Sequence, residues 1–387
     1  MIPYGRQTIS PEDIDAVVEV LRSDWLTQGP SVPRFENAVL QKVGAKHAVA
    51  VNSATSALHI ACLALDLKAG DALWTTPNTF VASANCGRYC GAEVDFVDID
   101  PNTWNISVEA LADKLAKAAA SGRMPKVVVP VHFGGQPTEQ DRIWDLAKRY
   151  GFKVLEDASH SIGASRQREP TGSCRWSDVS VFSFHPVKIV TTAEGGMALT
   201  NSPELAQRMN MLRTHGITRE SSLLRERNPA PWHYEQHLLG FNYRMTDIHA
   251  ALGLSQLKHL DEWVKRRNAI ARRYDQELAS LPIQLPRVAV ENRSSFHLYV
   301  VRLNGSKLRK SHRQVFEELH RLGIGVNVHY EPVHLQPYYR ALGFTEGYSP
   351  EAERFAREAL TLPLYPGLSD AAQTKVIDAV RKVLSDA

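Results

Sequence analysis

The chain has 387 residues, and its 45 Lys and Arg against 42 Asp and Glu leave a formal net charge of +3. So small an excess, with no dense Lys/Arg run, argues against a nucleic-acid partner. No stretch approaches the roughly 18 uninterrupted apolar residues needed to span a bilayer, so no membrane association is expected. The opening residues Met1 to Arg6 lead into no apolar segment of the signal-peptide kind. A cytoplasmic protein with a substantial core and about two domains is the reading. The four cysteines, Cys62, Cys86, Cys90 and Cys174, have no matching Cys/His pair to complete a zinc site and read as buried reduced thiols. No metal is expected.

Residues 1–25 read as an N-terminal arm, and regular alternation begins after it. Ala48 to Ser53 is strand-like, Thr55 to Leu65 helical, Ala72 to Thr76 strand-like and Thr79 to Tyr89 helical. Glu93 to Ile99 precedes the helical pattern Val108 to Ala120. The β-branched run Lys126 to Phe133 precedes the helix Thr138 to Tyr150. Lys153 to Glu156, Val179 to Phe184 and Met197 to Thr200 add three strands, and Pro203 to Arg213 a helix. Alternation of this kind predicts an α/β fold with a mostly parallel sheet covered by helices on both faces. Such sheets bind ligands beyond the C-terminal ends of their strands.

From Thr246 the pattern changes. Thr246 to Leu281 reads as nearly continuous amphipathic helix, long enough to bridge two lobes. Phe296 to Leu303 and Gly325 to His329 then read as strands, with helices at Ser311 to Leu322, Pro350 to Leu360 and Ala371 to Leu384. The division is therefore a large domain over residues 26–250, followed at 251–387 by the bridging helix and a smaller C-terminal α+β domain. The polar, proline-containing segment Arg219 to His237 is expected to be a mobile or subunit-bridging loop.

The chemistry is concentrated at strand ends. Asp157 closes the apolar run Val154-Leu155-Glu156-Asp157, and a carboxylate there is costly unless paired. About thirty residues later comes Ser183-Phe184-His185-Pro186-Val187-Lys188. The flanks Phe184, Val187, Ile189 and Val190 argue that Lys188 is partly buried, which lowers an amine's pKa and makes it nucleophilic. A carboxylate and a lysine so placed suit pyridoxal 5′-phosphate (PLP). The lysine would hold the cofactor's aldehyde and Asp157 would keep its pyridine nitrogen protonated; a helix N-cap is the competing role for Asp157. Ser53-Ala54-Thr55-Ser56-Ala57 lies at a strand-to-helix junction, where exposed amides and the helix dipole favour a phosphate. Ser and Thr there are also ordinary caps, but beside Lys188 and Asp157 phosphate binding is favoured. Phe80 could stack on the ring or belong to the core. His160 could approach the ring or cap a helix. Thr191 to Gly196 permits close backbone approach near the site.

These residues resemble the DegT/DnrJ/EryC1/StrS sugar-nucleotide aminotransferases, of PLP fold type I. The likeness covers essentially the whole chain. It is carried by Asp24-Trp25-Leu26-Thr27-Gln28-Gly29-Pro30, Ser53-Ala54-Thr55-Ser56-Ala57-Leu58, Glu156-Asp157-Ala158-Ser159-His160, Ser183 to Lys188, Ala193-Glu194-Gly195-Gly196 and Gly240-Phe241-Asn242-Tyr243-Arg244-Met245-Thr246-Asp247. The resemblance implies that Lys188 is the Schiff-base lysine, Asp157 meets the pyridine nitrogen and Phe80 stacks on the ring. It implies that Ala54, Thr55 and Ser183 contact the phosphate, Ala54 standing where the family more often has glycine, and that His160 lies near the ring hydroxyl. Asn242 matches a residue donated by a partner subunit, which implies a homodimer with shared sites. Some members of the fold group carry histidine in place of the lysine and dehydrate sugars. Here the lysine is present, with His185 three residues earlier, so transamination is the expectation.

The implied reaction moves an amino group from glutamate to a UDP-linked keto sugar. Within the family the stretches around Phe184 to Lys188 and Asn52 to His59 are most like the enzymes that aminate C4 of a UDP-linked 4-keto-6-deoxy-N-acetylhexosamine for pseudaminic acid biosynthesis. Amination of another keto-sugar nucleotide, of the 4-amino-arabinose type or with a 3-keto group, is the alternative. A non-catalytic PLP-binding regulator would need an effector domain, and no helix-turn-helix pattern flanks this one. For the nucleotide diphosphate, Arg219, Arg225, Arg227, His329 and Tyr330 are candidate contributors, each equally readable as a solvated surface group.

Overall fold

The computed structural model describes residues 1–385. Its central sheet has seven strands: β1 (His47–Val51), β2 (Ala72–Thr75), β3 (Glu93–Phe96), β4 (Val127–Val129), β5 (Lys153–Asp157), β6 (Val179–Ser183) and β7 (Gly196–Thr200). In space they lie in the order β1-β7-β6-β5-β4-β2-β3. Only β7 runs antiparallel to its neighbours, β1 and β6; the remaining pairs are parallel. The mostly parallel sheet expected from the alternation is present.

Successive side chains of a strand point to opposite faces, and this sorts the core. Val127, Val129, Leu155, Val179 and Val181 pack with Leu58, Ile60 and Ala61 of the helix Ala54–Ala64. On the other face, Val128 and Val154 meet Leu111, Leu115 and Ile143 of the helices Val108–Ser121 and Gln140–Tyr150. Phe182 and Phe184, further along, meet Phe35 and Val39 of the helix Ser31–Val43. Because both faces are covered, β4 and β6 are buried along their whole length, and β4 reads as an unbroken apolar run.

A second core forms around an antiparallel sheet of Ile283–Gln284, Tyr299–Leu303 and Ala359–Leu362, covered by the helices Leu260–Leu278, His312–Arg321 and Asp370–Ser385. Three expectations need correction here. The segment 325–329 is not a strand. The Gly325 amide donates to the Ile2 carbonyl, while Asn327 exchanges bonds with Thr361, so its partners are split and no ladder builds. The helix expected to run through Leu360 ends at Glu358, and Ala359–Leu362 becomes the strand beside Tyr299–Leu303.

The helix expected from Thr246 to Leu281 is two helices, Asp247–Leu257 and Leu260–Leu278. At the break, Lys258 N and His259 N donate to carbonyls three residues back, at Ser255 and Gln256. Just before it the buried Gln256 amide donates to Thr8 O at 2.8 Å and Asp13 Oδ2 at 2.6 Å, which ties the first helix to the N-terminal segment. The second helix serves the other core through Ile270, Tyr274 and Leu278.

Residues 1–25, read as an arm, contain the helix Pro11–Leu21, opened by a reciprocal capping box between Ser10 and Asp13. The segment 219–237 is largely irregular. It is closed by a short ladder of Ile217–Thr218 with Glu235–Gln236, and the Glu235 carboxylate accepts from the amides of Arg225 and Glu226. All four cysteines are free; Cys62, Cys86 and Cys174 are buried and Cys90 is half-buried. Among the described residues, no helix is long and apolar enough to cross a membrane.

Candidate active site

One cavity opens at the C-terminal ends of the central strands, and residues of the C-terminal half contribute to its wall. It is lined by Ser53, Ala54, Thr55, Phe80, Asp157, His160, Ser183 and Lys188, together with His297, His329 and Tyr330. Six positions singled out for cofactor binding, Ala54, Thr55, Phe80, Asp157, His160 and Ser183, thus share one space with the lysine. Asn242 does not: it is exposed and pairs with Thr214 in an isolated bridge outside its own chain's cavity. Arg219, Arg225 and Arg227 also lie outside it, in the polar segment, where Arg219 sits over the Tyr234 ring.

Each wall has a local cause. The helix Ala54–Ala64 is capped by Ser53, whose Oγ accepts from Ser56 N at 3.1 Å, and its first backbone bond runs from Ala57 N to Ser53 O. The amides of Ala54 and Thr55 precede that bond and face the cavity without an intrahelical partner. The neighbouring strand presses close: a Cβ on Gly196 would lie 2.4 Å from Ala54 N, so only glycine allows β7 to back this turn. On the far side, β5 ends with Asp157. Its Oδ2 accepts from Ser83 Oγ at 2.6 Å and its Oδ1 from Ser159 N at 3.1 Å. The carboxylate is buried yet has no cationic side chain within ion-pair distance among the described residues.

Lys188 follows β6 on a tight turn, its amide donating to His185 O at 2.9 Å. Buried Phe184 on one side and Ile189 and Val190 on the other anchor that turn, so the amine projects into the cavity. Burial pulls the amine down to about 8, against the opposing attraction of Asp157. The histidines opposite are held neutral. Burial first, and then the Lys188 cation, press His160 well below its ordinary value and take His329 to about 3. His297 is also driven well below, by burial and then by His160. The His160 Nδ1 accepts from Gly134 N at 3.3 Å, which leaves the proton of the neutral ring on Nε2, 3.3 Å from Tyr330 Oη.

This donor set fits PLP. The unpaired amides at a helix N-terminus suit its phosphate. A buried carboxylate with only neutral donors lacks the positive partner that a protonated pyridine provides. Phe80, 59% exposed although aromatic, offers a ring face at the cavity wall, 6.5 Å from the Tyr330 ring. The Lys188 amine is the nucleophile within the same space. Sequence reasoning missed Ser83, which holds Asp157, and His297, which packs on His160 at 4.4 Å between ring centroids. His329 and Tyr330, considered for a nucleotide, line the same cavity, Tyr330 beside His160. The small polar residue at Ser83 carried no local signal, and the other three come from the distant C-terminal half.

Known proteins agree with this geometry. The family model described as DegT/DnrJ/EryC1/StrS aminotransferase family matches residues 7–381. The spore coat polysaccharide biosynthesis protein SpsC of Bacillus subtilis is 40% identical over 389 residues, covering 100% of this chain and 98% of that protein. The UDP-4-amino-4,6-dideoxy-N-acetyl-β-L-altrosamine transaminase of Campylobacter jejuni is 37% identical over 390 residues, covering 99% of each. Among solved structures, Helicobacter pylori PseC, an aminotransferase of pseudaminic acid biosynthesis, superposes with a TM-score of 0.91 at 31% identity over 100% of both chains. The PLP form of Spr1654 from Streptococcus pneumoniae, a sugar aminotransferase by its description, gives 0.88 at 29% identity, covering 100% of this chain and 99% of that one. The protein is a PLP-dependent sugar aminotransferase, and the chain belongs to the DegT/DnrJ/EryC1/StrS aminotransferase family.

Proposed function

We propose that the enzyme transfers an amino group from glutamate to C4 of a UDP-linked 4-keto-6-deoxy-N-acetylhexosamine, giving UDP-4-amino-4,6-dideoxy-N-acetyl-β-L-altrosamine for pseudaminic acid biosynthesis. The observation that carries transamination is the Lys188 amine sharing one cavity with the otherwise unpaired Asp157. The choice of sugar is supported by the end-to-end likeness to the Campylobacter transaminase and to PseC. The equally complete likeness to SpsC supports a second reading, in which a different keto-sugar nucleotide is the acceptor.

In this reading the reaction has two halves, glutamate leaving as 2-oxoglutarate before the sugar is aminated. When bound, PLP supplies the carrier for the amino group and a ring that accepts electrons. The Ala54 and Thr55 amides and Ser183 would hold its phosphate, Phe80 would stack on its ring, and His160 would lie near its ring hydroxyl. Asp157 would keep a proton at the ring nitrogen. The Lys188 Nζ, held down to about 8, is partly neutral near neutral pH and can take the proton from the glutamate α-carbon. In the second half it returns a proton to the sugar carbon that receives the nitrogen. Asn242, exposed on its own subunit, would reach the phosphate of a partner, which would make the working unit a homodimer.

The test loads the enzyme with pyridoxamine phosphate, removes glutamate and adds UDP-2-acetamido-2,6-dideoxy-β-L-arabino-hexos-4-ulose. Prompt return of the PLP absorbance, with a new amino sugar by mass, is the expected result. No return, in enzyme that still converts glutamate to 2-oxoglutarate, discards this sugar and favours another keto-sugar nucleotide.

A further inference from the structure

Asp157 is held by more than its own strand. The Ser83 hydroxyl is fully buried and touches three oxygens: Asp157 Oδ2 at 2.6 Å, Thr79 Oγ1 at 2.7 Å and Phe80 O at 3.3 Å. Thr79 and Asp157 are buried too. A hydroxyl has one proton, and an ionised carboxylate can only accept. The shortest contact therefore uses the Ser83 proton, and Ser83 accepts from Thr79 in turn. All the donors then point one way, from Thr79 through Ser83 to Asp157, while the Ser159 amide occupies the other carboxylate oxygen.

We propose that Ser83 is a positioning residue for the cofactor's ring nitrogen, acting through Asp157 as the middle member of a one-way hydrogen-bond chain that starts at Thr79. The inference rests on the cofactor role given to Asp157 above. Donors aimed at a carboxylate favour its charged form, and a chain of them polarises its members. Were the proton to pass from the ring nitrogen to the carboxylate, Ser83 would donate to a neutral carboxyl, a poorer acceptor than the charged one. The chain thus keeps the proton on the ring side and fixes the plane of the carboxylate. Lys188 and Tyr330 feel the charge of Asp157 and share its cavity with His160, His297 and His329, and none of these is altered by the variants below.

The PLP-loaded protein tests this with Ser83→Ala, Ser83→Thr, Thr79→Val and, as reference, Asp157→Asn. PLP affinity is measured by dialysis, and the visible band of the bound cofactor is titrated with pH. Losing one charge-assisted bond should weaken PLP binding about tenfold in Ser83→Ala. The titration midpoint should rise by about half a unit, because a ring with less positive charge withdraws less from the Lys188 nitrogen. Thr79→Val should move the midpoint the same way by less, and Ser83→Thr should restore both readouts. A Ser83→Ala protein that binds PLP and titrates like the parent overturns the proposal even if it melts earlier. Should that variant not fold, Thr79→Val decides alone, an unmoved midpoint counting against the chain. If Asp157→Asn also leaves the midpoint unmoved, the role of Asp157 fails as well; if only that variant moves it, the failure is confined to Ser83.

Discussion

The two faces of β5 carry neighbouring carboxylates in contrasting settings. Glu156 points away from the cavity and is 1% exposed; it accepts from Gln140 Nε2 and lies 3.8 Å from His132 Nε2. Burial alone would raise its pKa, yet His132 and Gln140 hold it below the usual range. Asp157 points into the cavity, held by Ser83 and Ser159 but by no cationic side chain among the described residues. A buried carboxylate that is partnered within the fold serves stability. One that is oriented by neutral donors and left without a counter-ion is set up for a positive ligand group. One residue of register separates the two.

The sharpest break with this picture would come from Lys188, which completes the cavity face. Lys188→Ala should keep the fold and lose roughly a thousandfold in turnover; a melt together with single-turnover rates checks it, and a near-normal rate ends the assignment. Asp157→Asn should cost about a hundredfold in kcat with little change in melting temperature. Glu156→Gln should do the reverse, lowering stability by about 2 kcal/mol in urea because the carboxylate that accepts from Gln140 and faces His132 becomes a neutral amide whose NH2 puts a donor where an acceptor stood, while kcat stays within about twofold. If the two variants exchanged effects, the division of labour across β5 would be wrong.

The neutral histidines of the cavity face sharpen the contrast through pH. His160 and His297 are held well below the ordinary value and His329 at about 3, whereas the unfolded chain titrates near 6.5. Below that pH the unfolded state takes up protons that the folded state refuses, so stability falls as pH falls. Each group contributes up to about 1.4 kcal/mol per pH unit. Urea midpoints between pH 7.5 and 5 should show this loss, and His297→Asn should flatten the slope by one proton; stability that does not change across the range would contradict the assignment. The smallest effect belongs to Phe80, whose ring face is worth about a fivefold change in PLP affinity. Equilibrium dialysis of Phe80→Leu measures it, and unchanged affinity removes the stacking role.

Much of the site is legible in local pattern. A carboxylate ending an apolar strand and a lysine flanked by Phe184, Val187, Ile189 and Val190 are both anomalies that burial energetics single out. Ser53 to Ala57 at a strand-to-helix junction is a third local signal. Ser83 was not legible, because a serine on a helix carries no mark until the partner it touches is known. His297, His329 and Tyr330 were not legible as neighbours of His160 for the same reason.

What the sequence by itself determined was the α/β alternation, the two faces of each strand and the residues capable of the chemistry, since these follow from side-chain periodicity and the cost of burying charge. The tertiary structure alone decided which elements meet. It broke the Thr246 to Leu281 helix where Gln256 is tied to Thr8 and Asp13, and it denied residues 325–329 a ladder by dividing their partners between Ile2 and Thr361. It also brought Tyr330, from the C-terminal half, to His160. Those outcomes depend on hydrogen-bond and packing partners more than a hundred residues away in most cases, which no local window of sequence contains.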